Sequence, residues 1–163
     1  MNGIMRAARL VCASLIVTFA ASAGAAAADA WMLDSQTGDR GKSCSLSRTD
    51  QGRTFSVTLD LLPDEADQGI VGLAFDAPRL IQGARRSAVA TLQFSNGSAE
   101  THRIEQIAGG LLLVPMVSLN LEDLLRTFQD SRKLTVATDF GSTAFNLDGI
   151  ADHIPALRDC AGS

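Results

Sequence analysis

The segment SAVATLQFSNGSAETHRIEQI, residues 87–107, contains the strongest local structural signal in the chain. Two runs of strand-forming residues, Ser87–Phe94 and Ala99–Ile107, flank the dipeptide Asn96-Gly97. Asn-Gly between such runs favours a two-residue hairpin turn, because both residues tolerate the positive φ that a type I′ turn requires. We therefore predict an antiparallel β-hairpin over this segment.

Similar short runs lie on both sides of this hairpin. Ser43–Arg48 and Thr54–Leu62 flank a turn-rich pentapeptide, Ile70–Phe75 is almost continuously apolar, and Leu111–Met116 follows two glycines. In Thr54–Leu62 apolar residues alternate with polar ones, which is typical of a strand with one buried face. Six strands at this spacing predict a mainly β fold, an antiparallel β-sandwich or a barrel-like sheet.

Two helices interrupt the strand pattern. Asn120 is a favourable N-cap for residues 121–129, where apolar side chains recur at helical spacing. Near the C-terminus, Ile150, Ile154, Leu157 and Cys160 share one helical face. The sequence therefore predicts one helix near residues 120–130 and a C-terminal helix.

The N-terminal segment has the three parts of a secretory signal peptide. Arg6 and Arg9 supply a basic start, an apolar stretch follows, and an alanine-rich run offers cleavage after Ala28 or Ala30. The strongly apolar part is shorter than the ~20 residues of a membrane-spanning helix, which disfavours a membrane anchor. We expect residues 1–28 to be a signal peptide and residues 31–163 a single β-rich domain. The mature protein would be periplasmic or secreted, without stable membrane insertion.

Cleavage would make the protein more acidic. The full chain has 14 basic and 18 acidic residues and a net charge of −4. Removing Arg6 and Arg9 leaves 12 basic residues against 18 acidic ones, so the net charge becomes −6 if the chain starts at Asp29. Because an acidic protein repels phosphate backbones, we expect no nucleic-acid partner.

Cleavage would also leave an even number of cysteines. Of the three in the chain, Cys12 leaves with the signal, while Cys44 and Cys160 remain. In an oxidising compartment such a pair predicts a disulfide. Metal ligation or a nucleophilic thiol are the alternatives, but the pair shows no CxxC spacing, and His153 is the single histidine near either cysteine in sequence.

Part of the sequence resembles a known group of proteins. It is similar to small exported proteobacterial proteins of the invasion-associated locus B type and to accessory periplasmic proteins of type VI secretion. The residues that carry the resemblance are Trp31, Cys44, Leu134-Thr135-Val136, Thr143–Ile150, Ile154 and Leu157–Cys160. The chain departs from the locus B proteins in having two mature cysteines and no second tryptophan. The resemblance implies a non-enzymatic envelope protein with a β-rich domain, and it assigns no catalytic residue.

The C-terminal motif also has a structural interpretation. Phe145 and Leu147 alternate towards the interior, Gly149 allows a tight strand-to-helix turn, and Cys160 attaches the last helix.

Candidate catalytic and metal-binding residues are few. His102 is expected to point outwards between Thr101 and Arg103, and His153 lies at a helix start. No Gly-x-Ser-x-Gly motif accompanies the serines, although a Ser-His-Asp triad can assemble from distant residues. We expect no enzymatic activity, no cofactor and no metal site, and a hydrolase that uses either histidine is the alternative.

An acidic segment, Pro63–Gly69, is the candidate partner-contact loop, with Asp64, Glu65 and Asp67 as its charged residues. The EF-hand spacing fails there, so calcium would need an irregular loop. We expect a binding or structural module that contacts another envelope or secretion-system protein. The alternative is a secreted inhibitor of a host or competitor hydrolase that presents this loop. The sequence predicts neither the partner nor the oligomeric state.

Overall fold

A computed structural model describes residues 30–38, 41–62, 65–81, 86–107, 111–118 and 120–163. The predicted signal peptide, residues 1–28, lies outside these residues. In the described part, no helix has the length and apolar content needed to span a bilayer.

Strands account for most of the described chain, with two α-helices near its C-terminal end. The first, α1, spans Leu121–Gln129, and α2 spans Ile154–Ala161. Short 3-10 helices occupy Pro78–Leu80 and Ile150–Asp152. The strands are β1 Met32–Gly38, β2 Gly41–Asp50, β3 Arg53–Leu62, β4 Glu65–Phe75, β5 Ser87–Phe94, β6 Ala99–Gln106, β7 Leu112–Ser118, β8 Lys133–Thr138 and β9 Gly141–Asn146.

All nine strands form one antiparallel sheet in the order β1-β2-β3-β4-β7-β6-β5-β8-β9. The sheet curls into a half-barrel. The curl brings β3 and β9 together although five strands separate them in the sheet. The rings of Phe55 and Phe145 stack with their centroids 4.8 Å apart, and Arg53 donates a hydrogen bond to Thr143 Oγ1. The mainly β prediction is confirmed, in its barrel-like form.

The predicted hairpins are present. β5 and β6 pair in register across Asn96-Gly97, where Gly97 has a φ of +98°. β2 and β3 pair across Gln51-Gly52, and both of these residues have positive φ. The β2–β3 turn therefore has the two positive φ values of a type I′ turn. In the β5–β6 turn Gly97 has a positive φ but Asn96 does not, the Gly97 N–H donates to the Phe94 carbonyl, and the Phe94 N–H donates to the Ser98 carbonyl. This turn has three residues with glycine in the left-handed position, so the predicted two-residue type I′ turn was wrong while the hairpin is present.

The core lies on the concave face of the sheet and beneath the helices. Alternate residues of each inner strand point into it, as the sequence pattern of residues 54–62 predicts. In β3 these are Phe55, Val57 and Leu59. Burial of such side chains contributes roughly 1.5–3 kcal/mol each, which makes this face the main source of stability.

Helix α1 covers the middle of the sheet. Asn120 caps it by accepting a hydrogen bond from the Asp123 N–H, as predicted. Its apolar face is buried, and the Phe128 ring meets the Phe94 ring edge to face at 5.1 Å. The predicted amphipathic helix at residues 121–129 is therefore confirmed.

The C-terminal motif folds as the structural interpretation predicts. Phe145 and Leu147 are buried, and Gly149 adopts a left-handed φ of +81°. The indole N–H of Trp31 donates to the Asp148 carbonyl at 3.0 Å, which ties the turn to the start of β1. Each conspicuous residue of the motif therefore has a folding role.

Two parts of the chain differ from the expectation. Strand β1 was not predicted. The loop predicted at Pro63–Gly69 was wrong in its extent, because β4 begins at Glu65, and its Gly69 is the Cα partner of Leu61. A register shift at Leu61/Leu62 accommodates the extra residues. The backbone N–H and C=O groups at the end of β3 need hydrogen-bond partners, and the first residues of β4 supply them although this part of the sequence is acidic.

Candidate functional site

The two mature cysteines form the predicted disulfide. Cys44 lies on the core face of β2 and is fully buried, and Cys160 lies near the end of α2. Their sulfur atoms are 2.03 Å apart, and 116 positions separate them in sequence. The bridge fastens α2 to the β2 side of the sheet, so the pair is structural in this fold.

The acidic residues predicted to contact a partner are not assembled into a described site. Asp64 lies outside the described residues, and so do the side chains of Glu65 and Asp67, whose backbones belong to β4. The contact role and the inhibitor alternative that depends on it therefore stay predictions. Elsewhere in the described chain, no three His, Cys, Asp or Glu side chains are grouped as metal ligands would be.

The sheet divides between β6 and β7. β4 pairs with β7 over seven residues and β5 pairs with β6 over seven, but β6 and β7 share two residue pairs among the described residues. These are Glu105 with Leu113 and Gln106 with Leu112. Beyond them the two strands continue without pairing to each other, which leaves an opening in the middle of the sheet.

Pro115 explains where the pairing stops. The Ile107 N–H donates to the Leu111 carbonyl. Hydrogen-bonded pairs recur at every second residue of an antiparallel ladder, so the hydrogen-bonded pairs between β6 and β7 consist of odd-numbered residues. In this register the next hydrogen-bonded pair would be Arg103 with Pro115. Proline has no N–H to donate, so the ladder lacks a bond at that position. The proline at position 115 therefore accounts for the end of the pairing between β6 and β7.

A polar cleft of about 270 Å³ lies beneath this opening. Glu100 and His102 on β6 form one wall, and the end of β7 forms the other. Helix α1 supplies the floor. The residues that line the cleft are Glu100, His102, Met116, Val117, Ser118, Asn120, Asp123, Leu124 and Thr127.

Two carboxylates dominate the charge of the cleft. Glu100 Oε2 lies 2.8 Å from His102 Nε2 in a half-buried pair. Asp123 accepts a hydrogen bond from the Asn120 side-chain amide at 2.5 Å and has Arg126 at 3.8 Å on the exposed side of α1. No lysine or arginine is part of the lining, which besides the two carboxylates contains the Asn120 amide and the hydroxyls of Ser118 and Thr127.

The orientation predicted for His102 was wrong. Its side chain is 23% exposed, and it lies on the same face of β6 as the fully buried Ile104. Its Cα partner on β5 is Ala90, which is also fully buried. The polar neighbours Thr101 and Arg103 point to the outer face instead. His102 is therefore half-buried on the inner face of β6, where the sequence interpretation had placed it on the outer face.

The two histidines have different surroundings. Among the described residues, the His102 ring has Glu100 as its side-chain partner, at 2.8 Å. His153, the second histidine, lies between the 3-10 helix at Ile150–Asp152 and α2, and its ring Nδ1 is 3.0 Å from the Gly149 carbonyl oxygen. What the cleft does offer is acceptor groups and unpaired strand backbone.

Sequence reasoning missed two features of this site. Pro115 inside an apolar run indicates a strand with one unpaired side. Glu100 and His102, two residues apart on one strand, necessarily share a face. Together they indicate one strand with an unpaired side and a polar pair on one face of another strand, but which strands meet depends on the sheet order.

Comparisons with known proteins support the fold. No family model and no curated protein sequence matches the chain. Among solved structures, the chain is similar to the crystal structure of invasion associated protein B from Bartonella henselae. The two are 19% identical with a TM-score of 0.54, over 82% of this chain and 94% of that one. At this identity the likeness shows a shared fold, and it agrees with the resemblance found in the C-terminal residues.

Proposed function

We propose that the chain is an exported, non-enzymatic binding module that contacts another envelope or secretion-system protein through the opening between β6 and β7. The observation that carries the proposal is that, among the described residues, β6 and β7 share two residue pairs, above a polar cleft. Strand backbone without a partner is a template for association with another chain, and natural proteins usually cover or blunt it. Here it lies in the centre of the sheet, beside a concave surface.

The covalent structure supports the proposed location. A disulfide between Cys44 and Cys160 joins the beginning of the domain to its end. Disulfides persist in oxidising compartments such as the periplasm or the extracellular space. The predicted signal peptide and the disulfide are independent features, and both support export.

The proposal is tested by site-specific photo-crosslinking in the cells that produce the protein. A photoreactive amino acid replaces Val117, which is 69% exposed and lines the cleft. The matched control replaces Val89, which is 66% exposed on β5 and lies outside the lining. We expect a discrete crosslinked protein from position 117 and none from position 89. The same products from both positions, or none from position 117, would contradict the proposal.

A further inference from the structure

We propose that the occupant of this opening is an extended, basic segment of a partner protein. It adds as a strand to β6 and directs a lysine or arginine side chain into the cleft. This inference rests on the proposed function and names the chemistry of its partner. It combines three observations: the hydrogen-bonding groups along β6, the charge of the cleft, and the size of the cleft.

Strand β6 is the better template of the two. The Phe94 N–H donates to Ser98 and the Gln106 N–H donates to Arg86, so even-numbered residues of β6 bond to β5. The N–H and C=O groups of Ala99, Thr101 and Arg103 therefore face the opening. We call these groups the open edge of β6. On β7, Pro115 can offer an acceptor there but no donor.

An added strand would direct alternate side chains into the cleft. Strand addition uses main-chain hydrogen bonds for affinity and pockets for alternate side chains for specificity. The backbone N–H and C=O of Thr101 face the opening. The side chains of its neighbours, Glu100 and His102, point towards the cleft. A residue of the incoming strand that pairs along this edge thus has a side chain within reach of Glu100.

The charge of the cleft favours a basic side chain. Glu100 and Asp123 are the two carboxylates of the lining, and both remain partly exposed. Met116 and Leu124 add apolar atoms to the same lining. Lysine and arginine combine an apolar stem with a cationic head, which matches this arrangement. Bonds between such a head and a carboxylate are stronger than neutral ones.

The size of the cleft also favours a side chain over a metabolite. Small-molecule sites usually enclose about 300–1,000 Å³ and bury most of the ligand. The cleft holds about 270 Å³ and is open to solvent. Its polar and apolar parts are close enough for one long side chain. A larger ligand would lie mostly outside.

Binding of defined peptides to the disulfide-bonded protein tests the inference. The probe is a blocked octapeptide in which threonine alternates with lysine, and a second version contains arginine. One control peptide has glutamate in place of lysine. Another is the lysine peptide with alternate backbone amides methylated, which removes its strand donors. We expect both basic peptides to bind and both controls to fail.

Variants of the chain then locate the contact. The double variant Glu100→Gln with Asp123→Asn should weaken peptide binding by about tenfold or more, because it removes both carboxylates. Glu105→Gln is the matched control on the same strand. Glu105 lies on the outer face beside Arg103, at 3.6 Å, and its replacement should leave the affinity unchanged.

The outcomes separate this inference from the proposed function. Equal affinity of the double variant and the unmodified chain would overturn the inference, and so would equal binding of the methylated peptide. If no basic peptide binds while position 117 still crosslinks to a protein, the binding module stands and the partner chemistry is wrong. If position 117 also fails to crosslink, both are wrong.

Discussion

Removing the disulfide should cost a large part of the stability of the domain. The perturbation is the double variant Cys44→Ala with Cys160→Ala. The bridge closes a loop between residues 116 positions apart, and chain entropy assigns such a loop about 5 kcal/mol at 25 °C. Typical domains have unfolding free energies of about 5–15 kcal/mol. We therefore expect the variant to lose a third or more of its stability.

The structure suggests where this loss acts. Helix α2 buries Ile154 and Leu157 against the sheet, and the bridge anchors its last turn to β2. Without the bridge, these two side chains, the partly buried Ala161 and the ion pair between Arg158 and Glu122 hold an eight-residue helix in place. Helices of that length are marginal in isolation, so α2 should exchange its amide hydrogens faster than β2 and β3 do.

Denaturant unfolding at neutral pH measures the effect. Three samples are compared: the oxidised protein, the same protein after thiol reduction, and the double variant. Reduction leaves both side chains in place, so it separates the cross-link from the loss of sulfur packing. We expect the reduced protein and the variant to have similar midpoints, well below that of the oxidised protein. A loss under about 1 kcal/mol in both, or two titratable thiols in the exported protein, would refute the reasoning.

Three further substitutions test individual contacts. Pro115→Val introduces a backbone N–H opposite Arg103, so the ladder of hydrogen bonds between β6 and β7 should lengthen. The amide hydrogen of the new valine should then exchange slowly in an NMR measurement. Fast exchange at that amide would contradict the role given to the proline. Gly149→Ala should cost about 1–2 kcal/mol in denaturant unfolding because of its left-handed φ, whereas Gly72→Ala in β4 should be neutral or stabilising. Phe145→Ala should cost about 3–5 kcal/mol, since its ring connects β9 to β3 across the curl, and a loss below 1 kcal/mol would show that the curl does not depend on it.

The sequence predicts most of the fold because its signals are local. The Asn96-Gly97 turn, the cap at Asn120 and the left-handed Gly149 each depend on a few neighbouring residues. Strand β1 lacks such a signal. Residues 32–37 are all exposed, so no alternation of apolar and polar side chains marks them. Its position follows from pairing with β2 and from the anchoring of Trp31, which are tertiary effects.

The cleft could not be predicted from the strand pattern alone. The cleft lies where β6 and β7 meet in the sheet order β4-β7-β6-β5. Strands that are neighbours in this sheet, such as β4 and β7, are not always consecutive in the sequence. Pro115 indicates an unpaired side, but it does not indicate which strand would lie there. The contacts of the cleft also involve α1, which approaches from another part of the chain.

The disulfide could be predicted from the sequence because it requires only an even number of mature cysteines and an oxidising compartment.

Amide hydrogen exchange resolved by residue tests the open edge of β6 most directly. In the free protein, the N–H groups of Thr101 and Arg103 should exchange fast, while those of Glu100 and His102, bonded to β5, exchange slowly. The basic octapeptide should slow Thr101 and Arg103 selectively. Slow exchange at Thr101 and Arg103 without any peptide would mean that β6 and β7 are paired along their length, which would contradict the opening and the function proposed for it.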